Sequence, residues 1–294
     1  MGKKKMLALV VLWITCGCNF LVKTGTSPPL PSQSPSPAPT ATQPPATPTF
    51  LPTQIPIFYL PGDVIRDLRT LTVNLQVPEY FQVVNPEKRG GEFDPNSYFG
   101  ALKNLSMEPG YILDYVYSFD GMGGEPFIYT RPIHQAPYRN IQEYTTATGV
   151  NIYDGTKLAE VHHGYLDHVK VNEVNEESFF QYIVLYIMGD QFYLYWHSNY
   201  NDTRLVVDTN SLTSVFNTLY NIGKVVPDDI QNQAFALDLR PVFQIKADTI
   251  TFRMVTFTKW GGFFEDIYTI RKEFPHKISI ESKNLVPYNC GIQF

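Results

Sequence analysis

Residues 249–272 read TITFRMVTFTK, WGG, FFEDIYTIRK. Two runs of β-branched and aromatic residues, Thr249–Lys259 and Phe263–Lys272, flank Gly261-Gly262. Such runs around a glycine turn predict an antiparallel hairpin. Glu265 and Asp266 are adjacent, so on a strand they point to opposite faces and do not act as a pair. Upstream, Leu239–Lys246 is a third strand-like run, joined through Ala247-Asp248. Downstream, Ile278–Ser282 fits an edge strand.

Two further runs follow the same logic. Tyr111–Phe119, Asp120–Gly124 and Pro126–Thr130 predict a hairpin around a glycine-rich turn. Phe179–Met188 (FFQYIVLYIM), Gly189-Asp190 and Gln191–His197 (QFYLYWH) predict another. Short connections favour antiparallel pairing. Helices are expected in three places. Asp94-Pro95 offers an N-cap and an N1 proline before Tyr98, Phe99, Leu102 and Leu105. Asp208 or Asn210 caps a run bearing Leu212, Val215, Phe216, Leu219 and Tyr220, closed near Gly223. Pro227-Asp228-Asp229 opens the third, its acids suiting the positive helix end. The fold class is therefore α+β: a mainly antiparallel sheet with about three short helices packed on one face. Arg139–Gly155 is polar with little periodicity and reads as a long surface loop, a candidate flap.

The N-terminus reads differently. Lys3, Lys4 and Lys5 precede an apolar run, Met6–Thr15, and then Thr15-Cys16-Gly17-Cys18. A basic start, a short apolar core and small residues at the cut make an export signal. Asn19 and Lys23 end the run too early for a membrane span of about 20 residues. Residues 1–18 resemble a bacterial lipoprotein signal. Gly17 fits the pattern, whereas Thr15 stands at an aliphatic position and Cys16 at a small one. Cys16 is the alternative acceptor, with Trp13 and Thr15 fitting less well before it. The resemblance implies a signal peptide over 1–17, lipidation of Cys18 and anchoring by more than one acyl chain to the outer face of a bacterial membrane. Ordinary secretion and an uncleaved anchor are the competing readings.

A stalk follows. Eleven of the 23 prolines lie between Pro28 and Pro56, among Ser, Thr, Ala and Gln. Such a segment has too little apolar surface to offset its ordering entropy, and proline favours extended polyproline II. At ~3.1 Å per residue, about thirty residues reach up to ~90 Å. The expected organisation is a signal peptide over 1–17, a lipidated N-terminus and stalk over 18–56, and one globular domain over 57–294.

Charge limits the partners. Four of the 23 basic residues and none of the 28 acidic ones precede Phe50, so the rest of the chain carries a net −9. That argues against nucleic acid and against close contact with an anionic bilayer. The expected partners are the membrane, through the lipid, and an unidentified surface ligand or protein. After Cys18 the only cysteine is Cys290, so no disulfide is available to the mature domain, and Cys290 reads as a packed thiol.

The sequence has no Gly-x-Ser-x-Gly, no His-Glu-x-x-His and no phosphate-binding glycine loop. No cofactor is expected. Trp196–Arg204 (WHSNYNDTR) is the densest polar-aromatic cluster and follows an apolar run. Trp196 and Tyr200 could stack on a sugar ring while Asn199, Asn201 and Asp202 hydrogen-bond its hydroxyls, with Trp260 joining from its own turn. His197 is a candidate general base, oriented by Asp202. A structural loop, its amides closing turns, is the plainer reading. His162, His163 and His168, with Asp167 and Glu160 nearby, are candidate metal ligands if the chain bends at Gly164. A ligand- or partner-binding role leads. An extracytoplasmic hydrolase acting on glycans or another surface substrate is the alternative.

Overall fold

The computed structural model describes residues 61–152 and 161–291. The signal, Cys18 and the stalk lie outside the described residues, as does the end of the Arg139–Gly155 segment from residue 153 on. All described residues belong to one unit, Pro48–Phe294. Their elements, in chain order, are α1 Pro61–Thr72, α2 Tyr98–Ala101, β1 Leu105–Met107, β2 Tyr111–Phe119, β3 Gly123–Pro132, α3 Ile141–Thr148, β4 Val169–Val171, α4 Glu176–Met188, β5 Tyr195–Trp196, β6 Arg204–Val206, α5 Thr209–Asn221, α6 Asp228–Phe235, β7 Val242–Ile245, β8 Thr249–Thr258, β9 Gly262–Arg271 and β10 Ile278–Pro287. The fold is α+β with antiparallel sheets.

The 249–271 hairpin is the spine of the largest sheet. β8 and β9 pair from Thr249↔Arg271 to Thr258↔Gly262. β10 adds an edge strand along β9. On the far side of β8, β7 pairs its first half and β6 its second, sharing one edge end to end. Gly262 makes the turn possible. Its φ is 89°, and a Cβ there would sit 2.1 Å from the Val286 carbonyl oxygen.

Strand alternation then sorts the core. Ile250, Phe252 and Met254, with Tyr268 and Ile270 opposite, face a cluster that includes α4 and the buried side of α1. Val255 and Phe257, with Phe263, face the cluster built by Leu212, Val215 and Leu219 of α5 and Ala234 of α6. Both faces of the sheet are thus covered, where one was expected. A second sheet, β2-β3-β5, turns Tyr115 and Tyr117 to the first cluster. Its other side meets α3 through Val116, Phe127, Tyr129, Ile141 and Tyr144. β1 and β4 form a separate antiparallel pair.

The strand expected at Phe179–Met188 is wrong. These residues form α4, and every one from Ser178 to Met188 except Tyr186 is buried. A helix buried all round shows no amphipathic period, so its apolar run imitates a buried strand. The discriminating signal lies just before it. The Asn175 side chain accepts the Ser178 N–H at 2.9 Å, and Glu176 and Glu177 fill the first turn. Of the partner run Gln191–His197, only Tyr195–Trp196 is strand.

Three smaller corrections follow. The helix begun by Asp94-Pro95 is a 3-10 turn plus the single turn of α2, and Leu105 starts β1 instead. The Arg139–Gly155 loop contains α3, capped by Asn140 and closed by Gly149 at φ 70°. α1 was not anticipated. The other two expected helices form: Asp208 and Ser211 make a reciprocal capping box for α5, and α6 starts at Asp228. Cys290 is buried. Among the described residues no helix is long and apolar enough to cross a membrane.

Candidate functional site

The loop at Trp196–Arg204 leaves the sheet at β5. Trp196 pairs with Gly123 and Tyr195 with Gly124 at the start of β3. The His197 N–H then donates to the Met122 carbonyl at 3.2 Å, and residues 197–200 form one 3-10 turn. Gly123 permits this close approach, because a Cβ there would lie 2.7 Å from Ser198 Oγ. Asp120 braces the β2–β3 turn by accepting the Met122 and Gly123 N–H groups at 2.8 and 2.6 Å. Those two backbone bonds hold its carboxyl below the usual range.

This bracing fixes Trp196 in an unusual state. Its φ is 44°, a left-handed value that bulky residues rarely adopt. Its side chain is not withdrawn: Trp196 is 56% exposed and Met122 beside it 48%. The indole lies 4.5 Å from the His197 ring. The half-buried rings of Phe119 and Tyr195 pack 6.0 Å apart in the strands below. Backbone strain of order 1–3 kcal/mol that displays a large apolar ring is a reason to look for a contact there.

The polar members of the loop are committed to holding it. Asp202 accepts Arg204 Nε and Nη2 on one oxygen at 3.1 and 2.9 Å, and Lys259 Nζ pairs with the other at 2.8 Å. Lys259 also donates to the Asn199 carbonyl at 2.7 Å and lies over the Tyr200 ring. Asn201 Nδ2 donates to Glu125 of β3 at 2.7 Å. Tyr200 and Trp260 pack edge to face at 4.8 Å. Lys259 is therefore the pin joining this loop to the β8–β9 turn. Asp202, whose two oxygens go to cations, is built as an ion-pair hub. Of the expected stacking residues, Trp196 alone stands open.

The three histidines expected as metal ligands turn to separate partners. His168 Nδ1 meets Glu108 at 2.7 Å and its ring stacks on Tyr111 at 3.9 Å. His162 packs edge-on against Phe127, and His163 stacks on Tyr186. Among the described residues no group of three acidic, histidine or cysteine side chains could hold a metal. Burial, and then the neighbouring His162, pull His163 down to about 4. Among the described residues its buried Nδ1 has no hydrogen-bond partner.

Two groups lay outside the sequence reading. Asp190 follows α4, and burial, then Glu125, pushes its carboxyl up to about 7. Gly189-Asp190 looked like an ordinary turn, and only knowledge that α4 is buried marks the acid after it. Arg69, in the last turn of α1, lines a cavity with Asp202 and Arg204. No local pattern around Arg69 announces this.

No family model, curated protein or solved structure matches the chain.

Proposed function

We propose that this chain is an exported lipoprotein, anchored through Cys18 and held out by its proline-rich stalk, whose globular domain binds a ligand or partner protein at the Trp196–Met122 tip. The observation that carries the binding reading is the exposed Trp196 ring on a strained, braced backbone. Large aromatic side chains displayed on rigid supports supply much contact area at little entropic cost. The ion pairs of Asp202 and Lys259 favour binding over hydrolysis by His197 and Asp202, because the orienting carboxylate is already engaged.

Two measurements test this. Retention of the Cys18→Ser chain, which lacks the lipid anchor, by a bacterial envelope fraction should fall about tenfold or more on adding Trp196→Ala, the loss of a binding hot spot. Unchanged retention by a folded variant removes the tip from consideration. For the anchor, Cys18→Ser should move the protein from the detergent phase to the aqueous phase. If Cys16→Ser does so and Cys18→Ser does not, the acylated residue is Cys16.

A further inference from the structure

Beneath the Trp196 loop lies an imbalance of charge. Arg204, at the start of β6, and Lys259 share the single carboxylate Asp202. Their side chains are only 17% and 8% exposed and that of Asp202 15%. Arg69 of α1 comes to the same place. Among the described residues its guanidinium has no hydrogen-bond or ion-pair partner. Withdrawal from water, then the Arg204 charge, pull it down to about 10, with Asp202 opposing. Three cations against one carboxylate leave a local charge near +2, and uncompensated charge in a partly dry site is costly.

Two of these cations, Arg69 and Arg204, border open space. Arg69, Asn199, Asp202 and Arg204 line a cavity of about 250 Å³. Arg69 and Arg204 also line an adjoining one of about 480 Å³, with Asn210 and Ser214 on its wall. Of the acids of that second cavity, Asp63 pairs with Arg66 at 2.7 Å, while Asp208 caps α5 by accepting the Ser211 N–H and keeps its charge on the wall. Among the described residues no carboxylate pairs directly with Arg69, which feels Asp202 only at longer range.

We infer that the Arg69–Arg204 pocket binds a phosphate dianion, as the free ion or as a monoester whose organic part occupies the larger cavity. A phosphate monoester brings about −1.5 to −2 at neutral pH and three acceptor oxygens, enough to serve both guanidinium groups. Guanidinium forks give phosphate oxygens paired, charge-assisted hydrogen bonds. A monocarboxylate, with two oxygens, engages one guanidinium fork and leaves the second without a paired acceptor. The site is distinct from the Trp196 tip: Trp196 does not line either cavity.

The test uses the full chain in non-ionic detergent, titrated calorimetrically with inorganic phosphate, glycerol 3-phosphate and acetate at matched ionic strength. Phosphate or its ester should bind saturably and at least tenfold more tightly than acetate. A preference for inorganic phosphate identifies the free ion as ligand, and a preference for glycerol 3-phosphate identifies an ester. Arg69→Met should weaken phosphate at least tenfold while melting no lower than wild type without ligand, because it removes an unpaired charge. Arg69→Lys, which keeps the charge but not the fork, should fall between. Trp196→Ala should bind phosphate as wild type does, so failure of the tip reading leaves this one standing. Absence of saturable binding at millimolar phosphate, equal binding of acetate, or undiminished phosphate binding by folded Arg69→Met would each overturn the assignment.

Discussion

Asp190 and His163 give the fold opposing responses to pH. The Asp190 carboxyl rises from 3.8 to about 7 through burial and then the charge of Glu125, and its own charge helps raise Tyr98, Tyr165 and Tyr186. Between about pH 4 and 7 the folded chain keeps a proton that the unfolded chain releases. Stability from this group therefore falls as pH rises through that window. His163 drops from 6.5 to about 4, so the unfolded chain takes up a proton that the folded chain refuses. Its contribution is complete above pH 6.5 and is lost as pH falls toward 4. The wild type should be flatter with pH than either substitution alone. Asp190→Asn should match wild type near pH 4 and exceed it by on the order of 2–4 kcal/mol at pH 8. Urea denaturation across that range measures the gap, and a gap that does not change with pH refutes this account of Asp190.

Among the elements, α4 has the most at stake, because it packs its whole circumference. Its N-terminus depends on Asn175, whose side chain satisfies the Ser178 N–H. Asn175→Ala should cost about 1 kcal/mol, read as a shift in global unfolding because α4 touches the main core on all sides. A change confined to local hydrogen exchange at residues 176–179 would show that α4 frays without consequence for the fold. The same helix marks where sequence reading stops. Residues 249–271 are readable as a hairpin because alternation, β-branching and two glycines agree, and the strands form within one residue of the expected ends, with Gly262 paired into β9. The capping chemistry of Asp208 was readable for the same reason: local geometry alone determines it. The identity of Phe179–Met188 depends instead on what surrounds it, and a run that is apolar on every side carries no period to read. The site behaves likewise. The Trp196–Arg204 loop was visible as a polar-aromatic cluster, yet the pairing of Asp202 with Lys259 spans distant sequence, and so does the approach of Arg69. Contacts of that range leave no trace in local pattern.

At the scale of the molecule, one pair of strands serves two cores. Met254 and Val255 are neighbours on β8, but Met254 points to the cluster around α4 and Val255 to the cluster around α5 and α6. Neither cluster can lose its wall without exposing the other side of the same sheet. Cooperative unfolding in a single transition follows from that shared wall, if residues 57–294 act as one domain. The argument extends to mutations. Met254→Ala and Phe257→Ala remove side chains from opposite faces, and each should cost about 2–5 kcal/mol through lost burial and the cavity left behind. Each should lower the whole transition, whether followed by far-ultraviolet circular dichroism or by tryptophan fluorescence. The tryptophan signal is informative here because Trp196 and Trp260 sit on the two sheets that the Lys259 pin joins. Should Phe257→Ala split the curve into two steps, with the α5–α6 side melting first, the shared strands would be insufficient to couple the cores. The 57–294 region would then have to be described as two folding units.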